Sequence, residues 1–202
     1  APTDEIVALT RAVHAHGGIH TTHMRDEASH LIDSVNETIS IGKAADIPIV
    51  ISHHKASGLP NHGMVKASLA LIEEARKRQK LGLDAYPYIA SSTMLDPGRF
   101  QLASKVIVTW SKSHPEFAGK TLDEAAKALN TTLEDAAARL MPAGAIYFMM
   151  SEDDVRRVLA FPYTMIGSDG LPHDEHPHPR LWGTFPRVLG HYARDVKLFP
   201  LE

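Results

Sequence analysis

The sequence contains no cysteine. Disulfides and thiolate metal sites are thereby excluded within these 202 residues, and any transition metal held here must use His, Asp or Glu. No run of about 18 apolar residues occurs, which excludes a transmembrane helix, and the first residues lack the basic region and apolar core of a secretory signal. A cytoplasmic setting without membrane contact is the expectation. An excess of one charge sign is missing as well, since 21 basic residues against 24 acidic ones give a net charge of −3. Nucleic acid is therefore not an expected partner, because its binding rests on basic faces that neutralise phosphates. What remains, 44% hydrophobic and 22% charged residues, is the composition of one globular domain or a large piece of one. Thirteen histidines make a His-based metal site worth testing.

The chain opens on Ala1 inside a helical pattern, with Thr3 as N-cap, Asp4 and Glu5 in the first turn, and Gly17-Gly18 as its stop. A short strand is expected around Ile19 to His23 and a helix from Glu27 to about Ala45. The continuous apolar run Ile47 to Ser52 suits a strand buried on both faces. After a Gly/Pro/Asn loop at 57–63, Val65 to Gln79 reads as an amphipathic helix and Leu81 to Tyr86 as a third strand. A fourth strand, Thr164 to Ser168, follows a helix that begins near Ser151. Alternating strands and helices predict an α/β fold with a parallel sheet. The stretch Pro87 to Met149 breaks this rhythm. It holds a strand at Lys105 to Trp110 and helices at Leu122–Leu129 and Leu133–Leu140, which indicates a small inserted subdomain.

Chemistry-bearing side chains sit at strand ends. His23 closes the first strand, His53 the second, Tyr86 the third and Asp169 the fourth, and in parallel α/β barrels those ends converge on one active-site face. Neutral imidazole is a common zinc ligand, and a nearby carboxylate can coordinate the metal or move a proton. A single strand-end histidine is more often structural, and Asp169-Gly170 is also a common turn pair, so the pattern draws its meaning from repetition. His54 should face away from His53, because side chains alternate along a strand. His14, His16, His30 and His191 read as exposed helical residues. His173, His176 and His178 share a proline-broken loop with Asp174 and Glu175; they form either a second metal cluster or, as favoured here, a structured active-site loop.

Taken together, Thr22-His23-Met24-Arg25-Asp26-Glu27, Ile51-Ser52-His53-His54-Lys55, Asp84-Ala85-Tyr86-Pro87-Tyr88, Gly167-Ser168-Asp169-Gly170 and His176-Pro177-His178-Pro179-Arg180 resemble the N-acyl-D-amino-acid deacylases. These belong to the metal-dependent amidohydrolase superfamily. Order and intervals both match, with 30 residues from His23 to His53 and 116 from His53 to Asp169.

The resemblance implies part of a TIM-type (β/α)8 barrel, its fifth to eighth strands, with an inserted lid. Residues 1–86 would carry strands five to seven, 87–148 the lid, and 149–202 the last βα unit and the active-site loop. It implies that His23 and His53 are zinc ligands and that Asp169 is the catalytic acid/base. Lys55, Tyr86, Ser92, Met150 and Arg180 match substrate-pocket positions: Lys55 or Arg180 for the substrate carboxylate, Tyr86 for the developing oxyanion, Met150 for the side chain. The implied reaction is zinc-dependent hydrolysis of N-acyl-D-amino acids to a carboxylate and a D-amino acid.

Family members also carry a His-x-His pair on the first barrel strand and a zinc-ligating cysteine, neither of which is present. The expectation is that both precede Ala1, that the missing half of the barrel is the essential partner, and that these 202 residues alone are inactive. Two alternatives stay open. A cyclic amidase of the dihydroorotase or hydantoinase type would need a strand-end lysine to bridge two metals, and none clearly fits. A non-catalytic folded fragment would need no metal at all.

Overall fold

A strand such as Ile49-Val50-Ile51 has no polar face to offer to water, so it is stable only between other strands and beneath helices. The computed structural model, which describes residues 1–172 and 174–201, gives it that place. In chain order, α1 (Thr3–His14), β1 (His20–Thr22), α2 (Leu31–Ala45), β2 (Ile49–Ile51), α3 (Val65–Arg76) and β3 (Leu81–Ala85) form successive βα units. An antiparallel excursion follows: β4 (Ala90–Met94), β5 (Lys105–Ser111), α4 (Leu122–Ala128), α5 (Leu133–Leu140) and β6 (Ala143–Phe148). The chain then returns through α6 (Glu152–Ala160) to β7 (Thr164–Ile166) and ends in α7 (Arg180–Arg187), which continues into a π-helical segment, Val188–Asp195.

The first sheet is parallel in the order β1-β2-β3-β7, with Ile51 opposite both Thr22 and Leu83, and Ala85 opposite Ile166. This is the expected α/β architecture, four consecutive strands of a TIM-type barrel with their helices. Ile49, Ile51 and Leu83 are at most 1% exposed, and full burial of each such side chain contributes about 1.5–3 kcal/mol. At Gly42 an added Cβ would lie 2.5 Å from Ile49, so the missing side chain is what lets α2 lie close on β2. The second sheet, β4-β6-β5, is antiparallel. No helix among the described residues is long and apolar enough to cross a membrane.

Several boundaries differ from the sequence reading. Thr3 is the first helical residue, not the N-cap; Pro2 holds that position, and the Thr3 hydroxyl donates to Glu37 instead. α2 starts at Leu31 rather than Glu27. The cause is Asp26, whose carboxylate accepts the amides of Ala28 (2.6 Å) and His30 (3.1 Å) and so holds 26–30 as a turn. Strands β4 and β6 were not anticipated. β4 has only one β-branched residue and β6 opens Ala-Gly-Ala, so neither carries a strong strand signature. Their small residues serve close packing: a Cβ on Gly144 would collide with Thr109 and the Trp110 indole.

Candidate active site

Each parallel strand ends in a turn that presents one side chain on the same face. After β2 the chain bends sharply, with His53 in the left-handed region at φ 42°. The bend is held by Asp84 of β3, whose carboxylate accepts the His53 amide (2.8 Å) and whose carbonyl accepts the His54 amide (2.8 Å). Gly167 also lies against Asp84, where a Cβ would sit 2.9 Å from the same carboxylate oxygen. After β7, Asp169 is likewise left-handed at φ 49°, and strained backbone of this kind persists where surrounding structure enforces it.

The two strand-end histidines meet. His23 Nδ1 and His53 Nε2 lie 2.9 Å apart and their rings cross edge to face. Two nitrogens bound to one tetrahedral zinc at about 2.0–2.1 Å would stand roughly 3.3 Å apart, so the pair needs only a small widening to act as ligands. Burial lowers the pKa of His23, which favours the neutral, metal-competent ring. Glu27 completes the group: among the described residues, His23, Glu27 and His53 are the one set of three donors close enough to share an ion.

Sequence reasoning passes over Glu27 because it assigns the residue to a helix. Its carboxylate accepts from Lys55 Nζ at 2.8 Å and lies 2.8 Å from His53 Nδ1. Burial alone would raise the Glu27 carboxyl; the Lys55 charge and the hydrogen bonds from His53 and Lys55 outweigh it and bring the pKa down to about 2. Lys55, itself buried and lowered by that burial, also donates to the His53 carbonyl at 2.6 Å.

Beside this group lies a second one rich in unsatisfied donors. Arg180, 1% exposed, places its guanidinium 4.6 Å from the Tyr86 ring centre and donates from Nη2 to the Ser92 carbonyl at 3.1 Å. Its Nη1 is in ionic contact with Asp169 at 2.9 Å, without an aligned hydrogen bond, and its Nε has no partner. The buried hydroxyls of Tyr86 and Ser92 also lack partners. Burial raises the Tyr86 pKa, so the phenol stays protonated and a donor. Orphaned buried donors on three adjacent residues are costly unless a ligand satisfies them. Met150, two residues past β6, lines a small cavity with Lys55, Ala56, Val65, Tyr86, Asp154 and Val155.

The structure therefore brings His23, His53, Lys55, Tyr86, Ser92, Met150, Asp169 and Arg180 to one end of the sheet. His54 turns away from His23, although the strand ends at Ile51 and the turn at His53, not alternation, parts the two rings: it is 2% exposed, with Nε2 2.8 Å from the Ser68 hydroxyl, which donates to Val65. His173 lies outside the described residues. His176 and His178 join no metal group among those described; the His176 amide donates to Thr109 (3.0 Å), and Trp110 donates to Asp174 (3.0 Å), fixing the 171–179 loop to β5.

His178 is 4% exposed and accepts the Arg180 amide on Nδ1. Burial, and then the Arg180 charge, lower its pKa to about 4. The unfolded ring titrates near 6.5, so the stability that a neutral His178 contributes is complete above pH 6.5 and is lost as pH falls towards 4. In the full-length protein, the drop in unfolding free energy between pH 7 and pH 4.5 should be on the order of 1–3 kcal/mol smaller in His178→Gln than in wild type. Equal drops by denaturant titration would refute the assignment.

No family model matches the chain. Over its whole length it is 59% identical to the D-aminoacylase of Alcaligenes xylosoxydans xylosoxydans, of which it spans 42%. Among solved structures, a D-aminoacylase studied for its binuclear metal centre superposes with a TM-score of 0.94 at 56% identity, over all of this chain and 42% of that one. An N-acyl-D-glutamate deacylase from Bordetella bronchiseptica, complexed with zinc and a phosphonate mimic of the tetrahedral intermediate, superposes with a TM-score of 0.96 at 44% identity, over all of this chain and 43% of that one. Over its whole length, and over about 42% of theirs, the chain is similar to D-aminoacylases of the amidohydrolase type.

Proposed function

We propose that the whole protein hydrolyses the amide bond of N-acyl-D-amino acids, and that these residues supply much of its zinc and substrate site. The observation that carries this is the facing pair His23 Nδ1 and His53 Nε2, 2.9 Å apart, beside a buried arginine with unsatisfied donors. A zinc ion held by His23 and His53 would supply Lewis acidity to water and to the amide carbonyl. Asp169 removes the proton from the attacking water and returns it to the leaving nitrogen, so that the products are a carboxylate and a free amine. Tyr86, a neutral donor, faces the carbonyl oxygen as charge builds on it.

Of the two cations considered for the substrate carboxylate, Arg180 has the stronger claim. Lys55 is committed to Glu27 and the His53 carbonyl, whereas Arg180 keeps an unpartnered Nε and a fork suited to a carboxylate. Met150 and the mostly apolar cavity beside it would receive a hydrophobic D-side chain, since Lys55, the lysine that lines it, is already paired with Glu27. We assign residues 1–86 and 149–202 to the barrel and 87–148 to a cover over this pocket.

The test is zinc content and turnover of N-acetyl-D-methionine against its L-isomer by the full-length protein. Stoichiometric zinc and cleavage of the D-isomer alone are expected. Preference for a cyclic amide, or absence of metal, would overturn the reading.

A further inference from the structure

A metal-ligating imidazole must keep its coordinating nitrogen unprotonated, and the hydrogen bond at the other nitrogen decides whether it does. At His53 that other nitrogen is Nδ1, and Glu27 lies 2.8 Å from it. The same Glu27 oxygen is 2.8 Å from Lys55 Nζ, and Nζ is 2.8 Å from Nδ1, so the three atoms form a triangle. Lys55 is a donor, and the Glu27 carboxylate, which lies against two nitrogens, is an acceptor. The arrangement in which Nδ1 also donates to Glu27 leaves Nε2 bare and facing His23. With Lys55 donating to Nδ1 instead, a neutral ring would carry its proton on Nε2, where a metal cannot bind.

We infer that Glu27 is a positioning residue, whose single carboxylate oxygen holds His53 in its Nδ1–H tautomer and at the same time anchors the Lys55 ammonium, so that the metal ligand and the neighbouring cation are set by one group. This rests on the zinc reading above, although the tautomer itself exists without metal. Glu27 makes this contact because residues 26–30 form a turn and not the first turn of α2; the Asp26 carboxylate that shapes the turn aims the next side chain inward. With a side chain only 10% exposed, Glu27 has little contact with solvent, and no third partner is needed to account for its charge.

The experiment uses full-length protein and Glu27→Gln, which keeps the shape but lets the side-chain amide donate to Nδ1 and so admits the wrong tautomer. Long-range ¹⁵N–¹H spectra of the metal-free proteins should show His53 as Nδ1–H in wild type and as a tautomer mixture in Glu27→Gln. Chelator competition should show zinc Kd weakened by about 10–100-fold, the range for loss of a carboxylate behind a metal-bound histidine, while the metal-free variant, which has lost the buried Glu27–Lys55 ion pair, melts lower but stays folded. Glu27→Asp should recover part of the affinity. In cobalt-substituted protein the d–d bands should keep their positions in Glu27→Gln. Zinc affinity within twofold of wild type, or an unchanged tautomer, would overturn the inference while leaving the zinc site intact. Shifted d–d bands would also overturn it, by making Glu27 a ligand. Absence of zinc from wild type would remove the functional reading itself, which the tautomer spectra would report separately.

Discussion

Replacing Asp169 by Asn in the full-length protein is expected to lower kcat by roughly 10²–10⁴-fold, the contribution of a positioned general acid/base. The amide cannot accept the water proton, while its shape and left-handed backbone remain acceptable, since Asn tolerates that region well. Zinc content should be unchanged if the carboxylate's role is proton transfer. KM should move little, because Arg180 keeps its contact with Ser92 and the Tyr86 ring. Turnover within tenfold of wild type would transfer the proton-handling role elsewhere, and a rise in KM without a fall in kcat would make Asp169 a holder of Arg180 only.

His53→Ala should take zinc from stoichiometric to background and lower kcat/KM by on the order of 10³ or more, because Lewis-acid stabilisation is worth several kcal/mol and each 1.36 kcal/mol is tenfold. The adjacent position gives the contrast. His54 points to the opposite side, against Ser68 of α3, and His54→Ala should cost stability by leaving a cavity and an unanswered Ser68 hydroxyl, with zinc retained. Metal analysis and thermal unfolding of the two variants separate a ligand from a core residue one position away. Equal zinc loss in both would mean that the site depends on the turn as a whole and not on the His53 ring.

The split was expected of a strand that continued to His54, but β2 ends at Ile51 and the left-handed turn at His53 is what parts the two rings. The strands themselves were legible: Ile47 to Ile51 is a continuous apolar run, and Leu81-Gly82-Leu83 leads to the polar Asp84. Glu27 was not. Nothing in its local pattern separates the start of an amphipathic helix from a turn that precedes one, and the outcome was settled by hydrogen bonds of Asp26 to amides two and four residues on. The antiparallel sheet escaped notice because Ala90-Ser91-Ser92-Thr93 and Ala143-Gly144-Ala145 are strands by virtue of their neighbours. α7 runs through Pro186, against the usual expectation, and nothing in the local sequence announces the helix that the buried Arg180 begins.

The bonds from Trp110 and Thr109 to the 171–179 loop have a kinetic and evolutionary side. Trp110 and Asp174 are 64 positions apart, yet their bond, with that of His176, closes the segment that runs from Asp169 to Arg180 at a point between its two ends. The conformational freedom removed from that segment is thus removed by a sheet encoded far upstream. A substitution there, such as enlarging Gly144 beneath the Trp110 indole, need not unfold the barrel to matter. It would loosen the backbone between Asp169 and its guanidinium neighbour, and would register as turnover slowed beyond what the loss of stability from overpacking accounts for.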